Sequence, residues 1–337
     1  MATRIFKERS GAIANSLALL YVALGYTGGL VALFSGQVPL VILGILLLGH
    51  AMTIAAYLLH ECAHNTVFVE NKNNARLGTV LTWVTGSCYG TYENIRFKHF
   101  RHHVENADIV WFDYYAWFLR HPVTLRLVQV LEFFYIPAHD LLMHGVMMIG
   151  AFVIPQRRAQ RARNLAVIVL RVGVFGLVFW YFPVVALGYA IAYMLMMTVL
   201  RFMDALQHDY NGTTILFENK PGPHRGDRAY EQIHTFSNLL SLKYPWINLL
   251  VLNFGYHNAH HAKPTAPWYA LPALHRDLFG DGPEAVILFW PQLKSFHQYR
   301  VSRVMADAPE ANGPDFLRLA QTGEISGGNA ASFLTAF

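Results

Sequence analysis

Four apolar stretches decide what this chain can become. Residues 12–34 and 39–59 form one close pair, separated by the uncharged SGQV at 35–38; residues 164–182 and 183–207 form a second, with Pro183 at the turn. Each stretch is near the ~20 apolar residues that an α-helix needs to cross a bilayer. Gly25, Gly28 and Gly29 in the first stretch would let helices approach closely. Composition agrees: 54% of the 337 residues are hydrophobic and only 14% charged, against ~25% charged in soluble domains. The net charge of +5 is modest; it suits an anionic membrane surface and gives no reason to expect nucleic acid. Cys62 and Cys88 lie in apolar surroundings and make no disulfide framework. The apolar run after MATRIFKERS is long and lacks a small-residue cleavage site, so it reads as a first span rather than a removed signal. QRRAQRAR at 156–163, with Arg4, Lys7 and Arg9, marks the face that the positive-inside rule makes cytoplasmic. Arg171 and Arg201 stand within about two turns of that face, close enough to snorkel toward it.

Against this apolar background, histidine is concentrated in four places: HECAH (His60–His64), HFRHH (His99–His103), HNAHH (His257–His261) and Asp204-x-x-x-His208. These supply nine of the 17 histidines: His60, His64, His99, His102, His103, His208, His257, His260 and His261. Imidazole binds Fe, Zn, Cu and Ni. Residues three or four apart share a helix face, so each box can aim two rings at one metal or at two neighbouring metals. Cys62, two positions from each histidine of its box, points away from them. Nine imidazoles exceed one tetrahedral zinc site. Two metals with four or five nitrogens each fit the count, and such coordination suits iron better than zinc. Asp204 could bind directly or hold a water on the metal with fewer histidines. Glu61, Asn65, Glu93, Asn106 and Asp108, polar neighbours of the boxes, are candidates to orient the ligand rings from behind.

The boxes also constrain topology. If His60/His64 and the 99–103 box meet at one centre, residues 75–92 cannot cross the bilayer; their Thr, Ser and Gly content fits an interfacial or re-entrant segment. Residues 105–118 are polar and aromatic, suited to a headgroup boundary, and 124–154 read as interfacial helices. Four crossings then leave every box on the cytoplasmic side. The expected fold is an all-α integral membrane protein with a cytosolic helical cap holding a multi-histidine di-metal centre. The expected divisions are 1–208 (spans, interfacial segments and the first two boxes), 209–306 (cap with the third box) and a flexible tail at 307–337, the whole forming one catalytic domain. Residues 211–232 read as loop, and 284–305 as a helix disturbed at Pro291.

HECAH, HFRHH and HNAHH, in that order, resemble the three histidine boxes of the membrane-bound fatty acid desaturase superfamily. Asp204-x-x-x-His208 resembles the extra Asn-x-x-x-His element of stearoyl-CoA desaturases, with Asp in place of Asn, and the stretch from HTFSN to WYALP looks like the bacterial branch. The resemblance spans roughly residues 40–275. It implies four spans and a mushroom shape, a di-iron centre of two Fe ions in a cytosolic cap, O2 as co-substrate and electrons from a separate redox protein. With no HPGG-like haem segment in view, that donor would be a ferredoxin, rubredoxin or cytochrome. The substrate would be an acyl lipid, acyl-CoA or acyl-carrier protein, and the setting a bacterial inner membrane with the active site facing the cytoplasm. The expected reaction is O2-dependent insertion of a double bond into a fatty acyl chain. The same boxes serve hydroxylases and ketolases. A membrane metal transporter or sensor would want ionisable ligands deep in the spans, where only His50 sits; a zinc hydrolase would need fewer histidines and a positioned general base.

Overall fold

The computed structural model describes residues 5–210, 213–218, 220–306 and 311–328. Arg4 and residues 307–310 and 329–337 lie outside the described residues. In chain order the elements are α1 (Gly11–Leu33), α2 (Val38–Ala63), α3 (Asn71–Val84), α4 (Tyr92–Glu105), β1 (Asp108–Val110), α5 (Tyr114–Arg120), α6 (Pro122–Phe133), α7 (Ala138–Val153), α8 (Arg161–Tyr181) and α9 (Pro183–Asp204). There follow β2 (Thr213–Ile215), α10 (Arg228–Ile233), β3 (Ser237–Leu239), α11 (His257–Ala262), α12 (Leu271–Phe279), β4 (Val286–Leu288), α13 (Phe289–Gln298) and α14 (Gly313–Thr322). The protein is mostly helical, and among the described residues four helices are long and apolar enough to cross a membrane: α1, α2, α8 with the 3-10 turn that precedes it, and α9. The expected spans are therefore present. By contrast α3, at 14 residues, rises about 21 Å, short of a ~30 Å hydrocarbon core. The expectation that 75–92 does not cross the membrane agrees with that length.

The chain packs into two compact units, residues 1–94 with 142–199, and 95–141 with 200–336. The boundary falls inside α4, α7 and α9. Box 2 thus shares a unit with box 3.

In the first unit α1 and α2 cross with almost no side chain between them. A Cβ at Gly29 would lie 2.9 Å from the Leu48 Cβ, and one at Gly44 would lie 2.9 Å from the Gly29 carbonyl oxygen. Backbones come together there because neither position carries a side chain. α2 runs four residues past the expected end of its span, through His60 to Ala63, and every residue from Ala51 to Ala63 is buried. What stops it is Asn65, in the left-handed conformation at φ 55°. The Asn65 N–H bonds the Cys62 carbonyl and the Thr66 N–H bonds the Glu61 carbonyl, the paired bonds of a Schellman cap. The basic run is used locally: Arg157, 1% exposed, donates to the carbonyls of Met147 and Tyr89, while Arg163 donates to that of Cys88. Arg161 donates to the carbonyls of Ala151 and Phe152, which the end of α7 leaves open.

In the second unit β1 pairs in parallel with β2, and β3 with β4. Each strand has three residues, too few for the alternation by which strands are read. Three expectations are corrected here. The helix expected over 284–305 is a short 3-10 turn, β4, α13 and a second 3-10 turn; the three residues before Phe289 pair with β3 instead of coiling. Arg201 does not snorkel. It is 4% exposed and ion-paired with Glu132 at 2.6 Å and Asp140 at 3.6 Å, because burial makes a charge seek a partner. The chain after Asp307 is not loose over 311–328: Phe316, Ala320 and Ile325 are fully buried against Leu206, Phe236 and Ile287. The hydrophobic effect holds them there.

Candidate metal centre

Box 2 lies on α4 and box 3 on α11, both in the second unit. Adjacent residues on a helix point about 100° apart, so His102 and His103 cannot serve one point. They sort into two groups. His102, His208, His257 and His261 bring their ring nitrogens within 4.8 Å of one another, all buried. Their contacts run His102 Nε2 to His208 Nε2 at 3.1 Å and His208 Nε2 to His257 Nε2 at 2.8 Å. His99, His103 and His260 form a second cluster, with His103 Nε2 3.1 Å from His99 Nε2 and 3.2 Å from His260 Nε2. Each helix gives an i, i+4 pair to one cluster and a single ring to the other. α4 gives His99/His103 and His102; α11 gives His257/His261 and His260. In the first unit, His60 and His64 stand side by side with ring centroids 4.7 Å apart, both buried.

The hydrogen bonds behind the rings decide what these clusters can hold. His102 Nδ1 lies 3.0 Å from the Ala107 carbonyl oxygen, an acceptor only, so Nδ1 carries the proton and Nε2 is bare. His208 Nδ1 lies 3.4 Å from the His234 carbonyl and 3.3 Å from the Thr235 hydroxyl. The Nε2 atoms of His208 and His257 converge beside the bare Nε2 of His102, at 3.1 Å and 2.8 Å along the chain of contacts. An ion among them would let all of these nitrogens face it as ligands. Burial, reinforced by neighbouring imidazoles, holds His208, His257 and His261 well below the usual histidine range. The rings are neutral at pH 7 and available as ligands. The residues present fit a metal.

The remaining predicted residues separate clearly. Glu61 is buried beside His60, Oε1 to Nδ1 3.5 Å, and accepts from the Thr66 hydroxyl at 2.6 Å. Asn65 is the helix cap described above. Glu93 is exposed in the first turn of α4, where a negative charge suits the helix dipole. Asn106 ends α4 at φ 50° and donates to the carbonyls of His224 and Asp227. Asp204 belongs to neither cluster. The end of α9 and the turn after it place Asp204 where it and Asp108 act on Lys98, which is fully buried and pushed down to about 7 by that burial, the two carboxylates opposing the shift. Asp204 and His208 are not an i, i+4 helical pair, since α9 stops at Asp204 and His208 bridges to Thr235.

One residue escaped the sequence reading. Glu231, wholly buried on α10, holds His261 Nδ1 at 2.8 Å through its Oε1. It lies in a stretch read as loop, and no local spacing ties it to a box 30 residues away. Elsewhere, His50 bonds the Tyr21 hydroxyl and His234 bonds Asp209 at 2.7 Å.

No curated protein matches the chain. The model of one family, described as Fatty acid desaturase, matches residues 37–293, a stretch that contains every histidine of the clusters above. The match covers more than half of the sequence and accords with four apolar helices and buried histidine clusters, and the chain therefore belongs to the fatty acid desaturase family.

Proposed function

We propose that this membrane oxidoreductase is an O2-dependent desaturase that inserts a double bond into a fatty acyl chain at a histidine-held di-iron centre. The observation that carries the metal is the convergence of four buried ring nitrogens, within 4.8 Å of one another, in the His102–His208–His257–His261 cluster. The family supplies the acyl substrate class and the membrane setting. In this reading His60 and His64 complete the ligand set of His99, His103 and His260, giving five nitrogens to one ion and four to the other. Asp204 acts through a water on the ion with four.

Ligand count supports iron over zinc. Nine imidazoles shared between two ions would give each four or five nitrogens, more than the three of a catalytic zinc. When bound, the metal pair supplies the O2 activation that removing hydrogen from an unactivated C–H bond requires. The protein does the rest. The Ala107 carbonyl and the Glu231 carboxylate fix the tautomers of His102 and His261, and burial keeps bulk water from the rings. Electrons balance with an external donor. The acyl chain gives up two electrons and two protons to become an alkene, a separate redox protein supplies two more electrons, solvent supplies two protons, and one O2 leaves as two waters. We place the centre on the cytoplasmic side of a bacterial inner membrane, where a ferredoxin, rubredoxin or cytochrome can reach it. The acyl carrier is a phospholipid, acyl-CoA or acyl-carrier protein.

Two measurements test this. Purified protein should carry about two irons per chain; one zinc would favour hydrolysis. Lipids from cells with and without the gene, compared by mass spectrometry, should show acyl chains lacking two hydrogens. Chains that gain an oxygen instead would assign the protein to the hydroxylase and ketolase reaction of the same boxes.

A further inference from the structure

Glu231 stands behind ligands of both clusters. Its Oε1 is 2.8 Å from Nδ1 of His261, in the four-histidine cluster, and 3.9 Å from Nδ1 of His103, in the other. The carboxylate has no solvent exposure. Its second oxygen is taken by Arg228, whose other Nη donates to the Ala262 carbonyl at 3.1 Å, at the end of α11. The carboxylate is therefore oriented from behind, by an arginine tied to the box 3 helix. α10 is held at its start as well: Asp227 caps it through the Tyr230 N–H, and Asn106, at the end of α4, grips the Asp227 carbonyl. A six-residue helix is thus clamped between the two boxes, with one buried carboxylate as its contribution to both.

We infer that Glu231 is a positioning residue shared by the two metal sites, so that its charge tunes both ions together. At 2.8 Å it accepts a charge-assisted hydrogen bond from His261 and holds that ring's Nε2 bare toward the four-histidine cluster. At 3.9 Å it makes no hydrogen bond to His103. There it acts through its field, favouring positive charge on the ring and the ion beyond, in surroundings where burial leaves such fields poorly screened. Glu231, His103 and His261 could also be taken as a third metal site. The 2.8 Å separation is a hydrogen bond between a protonated nitrogen and a carboxylate, and an ion there would have to displace that proton.

This rests on the clusters being two metal sites, and the test separates the two claims. Metal-free full-length protein in detergent is titrated with Co(II), and the visible bands are followed to saturation. Wild type should bind two equivalents. Failure to do so would sink the di-metal reading itself. Glu231→Ala should weaken both equivalents, the one that includes His261 by about 10- to 100-fold, as for other partners of ligand histidines, and the other by less. Glu231→Gln keeps an acceptor but not the charge. It should restore most of the His261 effect while leaving the spectra of both ions shifted, and it stands in if the alanine variant fails to fold. Two equivalents with wild-type affinity and spectra in both variants would overturn the inference, as would a change confined to one ion. A third equivalent in wild type, lost in Glu231→Ala, would make Glu231 a ligand rather than a positioning residue.

Discussion

The second unit buries two polar clusters that solve the same problem in opposite ways. Around Arg201 the chain supplies its own counter-charges: the guanidinium meets Glu132 and Asp140, and Glu132 also accepts from the His139 backbone N–H. Around His208, four buried imidazoles bring ring nitrogens within 4.8 Å of one another. The first cluster finds its counter-charges within the chain. The second, in the function proposed above, takes an ion from outside. His139 sharpens the contrast: it is fully buried and pushed down to about 3 by burial and by Arg201, its ring lies against Tyr114 and Phe118, and it belongs to none of the histidine clusters among the described residues. Burial alone does not make a histidine a ligand candidate; company does.

If the contrast is right, ligand loss and ion-pair loss should fail differently. His257→Ala should cost the most in function. Bound iron should fall toward one per chain, and conversion of acyl substrate should drop by at least roughly 100-fold, since losing even a partner of a ligand costs about 10- to 100-fold. The chain should still fold. Metal analysis and product mass spectrometry check this.

Arg201→Ala should do the reverse. It leaves Glu132 and Asp140 buried without their cation, a loss of about 3–5 kcal/mol. Melting temperature should fall sharply while iron per folded chain stays unchanged. A variant that melts like wild type but loses iron would erase the distinction between the clusters.

Asp140 gives a smaller, pH-dependent effect. Burial raises its carboxyl to about 7, from the usual 3.8, with Arg201 opposing the shift and Glu132 adding to it. The folded state then holds the proton more tightly than the unfolded state. Its contribution to stability is fully present below the unfolded value and is lost as pH rises toward about 7. Asp140→Asn has no such dependence. Measured on metal-free protein, its melting temperature relative to wild type should climb by a few degrees between about pH 5 and about pH 8. A flat difference would mean that Asp140 is ionised throughout.

Asn65 lies beside box 1 but belongs to neither cluster, and it should give the least. Glycine tolerates the same left-handed conformation, so Asn65→Gly should change stability by only a few tenths of a kcal/mol and leave iron content alone. Loss of iron in that variant would return Asn65 to the role of ligand partner.

The sequence disclosed the clusters because ligand spacing is local: a ring at i and another at i+4 can be read without knowing the fold. It disclosed the spans for a similar reason, since length and apolarity suffice. It could not say that His102 parts company from His103, because the choice between i+3 and i+4 depends on where α11 lies. Nor could it reveal Glu231, whose partners are 30 and 128 positions away. Arg201 misled because its acidic partners come from α6 and α7, far along the chain, and nothing nearby signals them. The buried 311–328 segment misled because small residues and glycines resemble a tail until a core receives Phe316.

A final consequence follows from the way α4 and α11 exchange rings. Because each gives a pair to one cluster and a singleton to the other, neither helix can be turned for the benefit of one ion alone. A quarter-turn of α4, such as one inserted residue upstream of His99 would impose, would swing three rings off their targets at once. The two clusters are geared together, and drift in either helix should be bounded by both.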